Sequence, residues 1–466
     1  MNLTFKEKCA YGLGAIGKDM VYMLSASYVL YYYQDLLGVN AIAMGAILLI
    51  ARIFDAFNDP IMGIIVAKTK TKWGKFRPWL MIGTLTNAVV LYLMFAAPPS
   101  MKGTEGMVAY AAIFYILWGV TYTMMDIPYW SMIPAFTKSG KEREGLTTLA
   151  RSCAGVGSAL VTIFTMMIVH ALGGVDEVKG FKWFGLIIAI VFIIFISITC
   201  LFIKEKATVN MHSASVGEMF KALVQNDQAM AVVITIVLIN CSVYITSNLV
   251  IYFFKYDFGG TGWYNSYTFF NMFGGGIQIL SMMIFYPLLR KFASNIKIFY
   301  ICLASAIIGY ACLLGIAFTS MQNVFILFIP GFFIFAANGV LQVLTTVFLA
   351  NTVEYGEVKN GRRDESVIFS MQTFVVKLAS GVAAFIASIC LSVFSLTSGT
   401  DVSEADKVRD FSLEVEASSR VGLRSTMTII PIIGLFVAIF FFKKKFILDE
   451  PKLKEIEGQL KDRAGK

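Results

Sequence analysis

Asp55, Asn58 and Asp59 share a single turn of a stretch, about 41–67, that is otherwise apolar apart from Arg52. An ionised carboxylate in hydrocarbon costs about 3 kcal/mol or more, so two are rarely left there without a partner. In a helix, residues four apart lie on one face, with Cβ atoms roughly 5–6 Å apart. Asp55 and Asp59 are therefore expected to point the same way, with Asn58 beside them. Two carboxylates and an amide carbonyl make a cage of hard oxygens, which suits a small cation or a proton. The structural alternative is an ion pair with Arg52, three residues before Asp55. One arginine answers for one acid and not for two.

The elements that position these groups follow from composition. The chain is 57% hydrophobic and only 15% charged, which excludes an ordinary soluble domain. Crossing a hydrocarbon core of about 30 Å takes about 20 apolar residues. Such stretches are expected near 9–34, 41–67, 78–98, 107–135, 147–171, 182–203, 230–256, 264–289, 298–318, 324–353, 366–395 and 421–442. The fold class is thus an all-α membrane protein with twelve transmembrane helices. No run of short alternating strands appears, which excludes a β-barrel. The polar stretch Met1–Lys8 leads straight into the first span, and no cleavable signal is expected.

Basic residues set the orientation. Lys68, Lys70, Lys72, Lys75 and Arg77 share one side with Lys138, Lys141 and Arg143, with Lys204, Lys206 and Lys221, with Arg290, Lys291 and Lys297, with Lys359, Arg362 and Arg363, and with the tail from Lys443. The alternate loops are poor in them. Both termini are expected to be cytoplasmic. The net charge of +9 belongs to this bias and does not imply nucleic-acid binding.

Inside the spans remain four cations, Lys18, Arg52, Arg151 and Lys377, and four acids, Asp19, Asp55, Asp59 and Asp126. A balanced set of buried charges on five helices needs a common polar interior. Asp35, at the end of the first span, reads as interfacial. The halves also echo each other. Gly140-Lys141-Glu142-Arg143-Glu144 precedes the fifth span, and Gly361-Arg362-Arg363-Asp364-Glu365 precedes the eleventh, 221 positions on. Each block is followed by a span cation, Arg151 or Lys377. With six spans on each side of a hydrophilic segment, this indicates two six-helix repeats of major facilitator type. The expected divisions are 1–203 and 230–442 for the bundles, 204–229 for a cytoplasmic middle loop, and 443–466 for a charged cytoplasmic tail.

Longer blocks are recognisable. They are Tyr11-Gly12-Leu13-Gly14-Ala15-Ile16-Gly17-Lys18-Asp19, Ala51-Arg52-Ile53-Phe54-Asp55-Ala56-Phe57-Asn58-Asp59-Pro60-Ile61-Met62-Gly63 and Trp73-Gly74-Lys75-Phe76-Arg77-Pro78-Trp79. Tyr115 to Ser131, Glu354-Tyr355-Gly356-Glu357 and Gln372-Thr373-Phe374-Val375-Val376-Lys377 follow in order. In these blocks, and in order over most of the chain, it resembles the glycoside-pentoside-hexuronide:cation symporters, and within them the melibiose permeases. The resemblance implies a cation site at Asp55, Asn58, Asp59 and Thr123. It implies a sugar site at Lys18, Asp19, Asp126, Trp130 and Arg151, lined further by Tyr122, Gln372, Thr373 and Lys377. Carboxylates accept from sugar hydroxyls, cations donate to them, and an indole can stack on a pyranose. Sodium is the implied coupling cation, with a proton or lithium as alternatives, and no cofactor is implied. The melibiose permeases carry a tryptophan, a tyrosine and an acid where this chain has Gln342, Ala26 and Asn351, so melibiose itself is not implied.

Other chemistry is poorly served. His170 and His212 are isolated, and the seven cysteines show no paired spacing and read as packing residues. Gly274-Gly275-Gly276 lacks the strand–loop–helix setting of a phosphate cradle and reads as close helix packing. No nucleophile or metal constellation marks an enzyme. The rival reading is a cation-coupled lysophospholipid-type lipid transporter, which needs an apolar cleft where this chain offers Lys18, Asp19, Asp126 and Arg151. The expected partners are a small sugar or glycoside and the lipid bilayer, with no nucleic acid and no obligatory protein. The expected place is the cytoplasmic (inner) membrane of a bacterium. Arg143 and Glu142, with Arg363 and Glu365, are expected to form a gate at the cytoplasmic ends.

Overall fold

The computed structural model describes residues 3–137, 140–205, 216–319, 323–361, 365–396 and 410–464. It is helical throughout, and the described residues include no strand. Twelve long helices carry the chain: α1 (Phe5–Leu30), α2 (Ala41–Lys68), α3 (Arg77–Phe95), α4 (Glu105–Ser131), α5 (Gly140–Gly173), α6 (Glu177–Phe202), α7 (Asp227–Tyr252), α8 (Trp263–Leu280), α9 (Asn295–Thr319), α10 (Val324–Asn360), α11 (Glu365–Val393) and α12 (Ala417–Lys445). Eleven are long and apolar enough to cross a membrane by length and composition. The exception is α1, whose middle is given to small residues and the adjacent charges Lys18 and Asp19.

Local chemistry sets the helix ends. Thr4 and Glu7 form a capping box, with Thr4 N–H donating to Glu7 Oε2 at 2.8 Å and Glu7 N–H to Thr4 Oγ1 at 3.3 Å. Asn40, Asp176, Asn226 and Asn323 each cap the helix that follows. Gly361 ends α10 at φ +72°, a left-handed position suited to glycine. The helix expected at 324–353 thus runs on to Asn360. Its polar extension is held by Lys359 and Tyr355, which reach Asp227 Oδ1 at 2.5 and 3.1 Å. The middle segment contains a helix over Val216–Gln225, and the charged tail is helical over Glu450–Ala464.

The chain divides into two compact units, Met1–Ser213 with Leu391–Asp410, and Ala214–Cys390 with Phe411–Lys466. In the first, α1 packs on α5 and α6, α4 on α2 and α3, and α6 on α3 and α5. In the second, α10 packs on α8 and α9, and α12 on α7 and α9. Four pairings therefore recur six helices later: α2 with α4, α3 with α4, α1 with α6, and α3 with α6. Small residues allow the closest approaches in the first unit. A β-carbon at Gly157 of α5 would meet the backbone of Ile16, and one at Gly83 of α3 would meet that of Met125.

Candidate functional site

The first unit places the charged side chains of α1, α2, α4 and α5 together. Two tyrosines tie α1 to α4 reciprocally. Tyr11 donates its hydroxyl to the carbonyl of Tyr129, and Tyr129 to that of Tyr11, both at 2.5 Å, with the rings stacked at 4.4 Å. Asn87 of α3 fixes α4 by donating to the Trp118 carbonyl at 3.0 Å and to Thr121 Oγ1 at 2.9 Å. Two turns beyond Tyr11, Lys18 is only 3% exposed. Its Nζ lies 2.8 Å from Asp126 Oδ1 and 3.3 Å from Asp19 Oδ1, and it donates to the Tyr122 hydroxyl at 3.3 Å. Trp130, one turn after Asp126, donates its indole N–H to Asp126 Oδ1 at 3.1 Å. The Arg151 guanidinium of α5 lies 4.1 Å from the Trp130 ring centroid, and Lys18 Nζ lies 5.0 Å from it. Lys18, Asp19, Tyr122, Asp126, Trp130 and Arg151 thus form one constellation with two positive and two negative charges. A neutral, hydroxyl-rich molecule meets acceptors and donors there without adding net charge. The indole face, read from sequence as a platform for a sugar ring, already carries the guanidinium.

A second cluster lies further along α4, against α2. Arg52 is 5% exposed, donates through Nη1 to Asp55 Oδ2 at 3.3 Å, and has the Tyr22 and Tyr115 rings at 5.7 and 6.0 Å. The ion pair considered from sequence is therefore real for Asp55. Asp59 is held differently, accepting from the Thr123 hydroxyl at 2.9 Å. Asn58 Nδ2 is buried and has no hydrogen-bond partner among the described residues. Because amide oxygen and nitrogen exchange by a half-turn, this position can equally present a lone pair. Pro60, inside α2, has no N–H to give the carbonyl of Ala56. One cation and two carboxylates leave one net negative charge, which one monovalent cation would balance.

The two clusters share a helix. Tyr115, Trp118 and Tyr122 stack along α4 at 5.7 and 5.3 Å, and Tyr22 of α1 sits 5.6 Å from Tyr122. Tyr122 belongs to the Lys18 cluster, and the next residue, Thr123, belongs to the Asp59 cluster. In the second unit, Gln372, Thr373 and Lys377 lie on α11, with Thr373 and Lys377 one turn apart. The side chains of Glu142, Arg143 and Glu365, and all of Arg363, lie outside the described residues.

Two charges differ from their sequence reading. Arg151, expected buried, is exposed, with its guanidinium against the Trp130 ring. Asp35, expected interfacial, is 2% exposed; the chain continues from α1 as a π-helical turn, Tyr31–Leu36, whose tyrosines are buried with it. A buried pair went unread: Arg424 of α12 grips Asp257 with two bonds of 2.5 and 2.6 Å. Asp257 lies in the matching π-helical turn after α7, Phe253–Phe258. Both ends of that pair lie at the margin of an apolar run, where a charge draws no attention. The recurrence of an aspartate at the close of the first span of each half was the available signal.

Residues 10–447 match the family described as MFS/sugar transport protein. The chain belongs to that family. It is of the glycoside-pentoside-hexuronide symporter type, a multi-pass membrane transporter and not an enzyme. The lactose permease of Lactobacillus delbrueckii subsp. bulgaricus is 25% identical over 100% of this chain and 74% of that protein. The inner membrane symporter YicJ of Escherichia coli K12 is 26% identical over 98% and 95%. The isoprimeverose transporter of Lactiplantibacillus pentosus is 26% identical over 84% and 80%. Among solved structures, a bacterial homologue of the human lysosomal transporter Spinster aligns with a TM-score of 0.65 at 11% identity, over 98% of this chain and 97% of that one. The last likeness is one of fold alone.

Proposed function

We propose that this transporter is a secondary active symporter that couples inward movement of one Na+ to uptake of an uncharged glycoside or related sugar. The observation that carries the reading is the charge arithmetic of two clusters on one helix. The Asp55, Asn58, Asp59 and Thr123 oxygens, with Arg52, hold one net negative charge and take the cation. The Lys18, Asp19, Asp126, Trp130 and Arg151 group holds none and takes the sugar, with Tyr122 beside it. Because Tyr122 and Thr123 are consecutive, a shift of α4 on cation binding is felt at once by the sugar groups. Affinity for each ligand then rises with the other, by the same factor. Alternating access between the two repeats moves both ligands. Both termini face the cytoplasm.

The test is calorimetry on purified protein with a panel of neutral glycosides and one uronide, with and without NaCl. Neutral glycosides should bind, and bind more tightly with Na+. Asp19→Ala, Asp126→Ala and Arg151→Ala should each lose measurable binding. Near-normal affinity in all three would move the sugar site elsewhere.

A further inference from the structure

The sugar constellation is divided between two sets of helices. Lys18, Asp19 and Arg151 stand on α1 and α5, whereas Tyr122, Asp126 and Trp130 stand on α4, which also serves the cation cluster. α1 packs on α5 and α6, and α4 on α2 and α3. α3 and α6 join the two sets but carry none of the site's charges. A change in α4 on cation binding therefore reaches Lys18 across the seam between α1 and α4. Along that seam the contacts keep one antiparallel register: Tyr22 meets Trp118 and Tyr122, Lys18 meets Tyr122 and Asp126, and Tyr11 meets Tyr129. Lys18 and Asp126 are groups that exchange partners with a sugar. Tyr11 and Tyr129 are fully buried, so neither touches a ligand. Their tie meets a local need of α4. Pro128 has no N–H to give the carbonyl of Met124, so the last turn, which carries Trp130, is held less well by its own helix. The Tyr129 carbonyl lies in that turn, where carbonyls run out of helical partners, and the Tyr11 hydroxyl donates to it at 2.5 Å. The return bond goes to the carbonyl of Tyr11, which has two lone pairs to give. Gly14 makes the room, since a β-carbon there would press on the Thr199 hydroxyl and stand 3.0 Å from Tyr129 Cε2. Tyr129 in turn lies against the site, its ring edge-on to Trp130 at 5.3 Å and 5.8 Å from Lys18 Nζ.

We propose that the Tyr11–Tyr129 clasp is the coupling element of the first unit: two positioning residues hold α1 to α4, so that a shift of α4 on cation binding carries Lys18 with it. This rests on the reading of the two clusters as cation and sugar sites. Both bonds end on backbone carbonyls, so the clasp fixes the helices themselves and not only their side chains. Without the hydroxyls the stacked rings remain, but nothing directional sets their register. α4 then shifts past α1, and the sugar groups on α1 and α5 no longer follow it. A sugar still binds, with the affinity of the cation-free protein, and the cation no longer raises that affinity.

Tyr11→Phe, Tyr129→Phe and the double variant, in the purified full-length protein, test this. Calorimetry with 4-nitrophenyl galactoside, glucoside and xyloside gives a glycoside Kd with and without saturating NaCl, and the ratio of the two is the coupling factor. That factor should fall toward one, at least threefold in each single variant. In the double variant it should fall by less than the product of the two, since both bonds serve one tie. The glycoside Kd without Na+, and the Kd for Na+ without glycoside, should stay within twofold of wild type. Tyr33→Phe is the control for a purely structural role. Tyr33 donates its hydroxyl to the Met94 carbonyl at 2.7 Å, also buried, so its loss removes a bond of the same kind from the same unit. Its Tm should fall as in the clasp variants, and its coupling factor should not change. Clasp variants that keep the wild-type factor would overturn the proposal. So would failure of either single variant to fold, since the tie would then serve the fold alone. A wild-type protein that binds none of the three glycosides, or binds them without regard to Na+, would instead overturn the symport reading and the clasp's role with it.

Discussion

Neutralising the two partners of Lys18 should destabilise the protein by more than the sum of the separate changes. Asp126→Asn removes the 2.8 Å contact but leaves Asp19 at 3.3 Å. A hydrogen bond to a charged group is worth about 1.5–3 kcal/mol. Asp126 and Asp19 keep 25% and 18% of their side-chain exposure, so the low end applies, about 1.5 kcal/mol for Asp126 and less for the longer contact of Asp19. Removing both leaves an ammonium with 3% exposure and no carboxylate, where stranding a buried charge costs about 3–5 kcal/mol. The double variant Asp19→Asn/Asp126→Asn should therefore lose roughly 1 kcal/mol or more beyond additivity. Adding Lys18→Met should restore much of that loss, since an apolar replacement of similar length strands nothing. The assay is chemical unfolding of the purified protein in one detergent, followed by tryptophan fluorescence. Sugar binding should be weakened in every variant, because an amide keeps one acceptor oxygen of two and loses the charge, whether or not the fold is secure. Strict additivity, or no recovery with Lys18→Met, would refute the view that this lysine exists to balance these two acids.

Three further outcomes follow from the geometry. Asp59→Cys should abolish Na+ stimulation of sugar binding while sugar binding itself survives, read by titrating sugar with and without NaCl. Arg151→Ala should abolish sugar affinity and shift stability by under about 1 kcal/mol, since the side chain is exposed and held chiefly by stacking. Arg424→Lys should lower stability by about 2 kcal/mol or more, because an ammonium cannot reproduce the two-bond grip on a carboxylate with no side-chain exposure; thermal unfolding reads it.

The sequence displayed the acids of α2 plainly, because carboxylates in an apolar run are costly and rare. It also displayed the twelve helices, since about 20 apolar residues have few other uses. It did not display contacts that need two helices packed. Lys18 sits over a hundred residues from Asp126, and contacts between α1 and α4, the Tyr11–Tyr129 tie and Tyr122 among them, bring the two to 2.8 Å. Composition also hides the direction in which a long side chain leaves its helix, which is why Arg151 reads as buried and is exposed. Asp35 reads as interfacial, and Asp257 draws no reading, because a charge at the end of a span usually reaches water. Here the π-helical turns that close α1 and α7 carry both inward.

The most direct test of cation-coupled sugar transport uses purified protein in sealed liposomes, loaded without Na+ and diluted into radiolabelled neutral glycosides. An inward Na+ gradient should drive accumulation of at least one glycoside above its external concentration, and a Na+ ionophore should abolish it. Accumulation that ignores Na+, Li+ and pH gradients alike, or accumulation of an amphiphilic lipid instead of any sugar, would contradict the account.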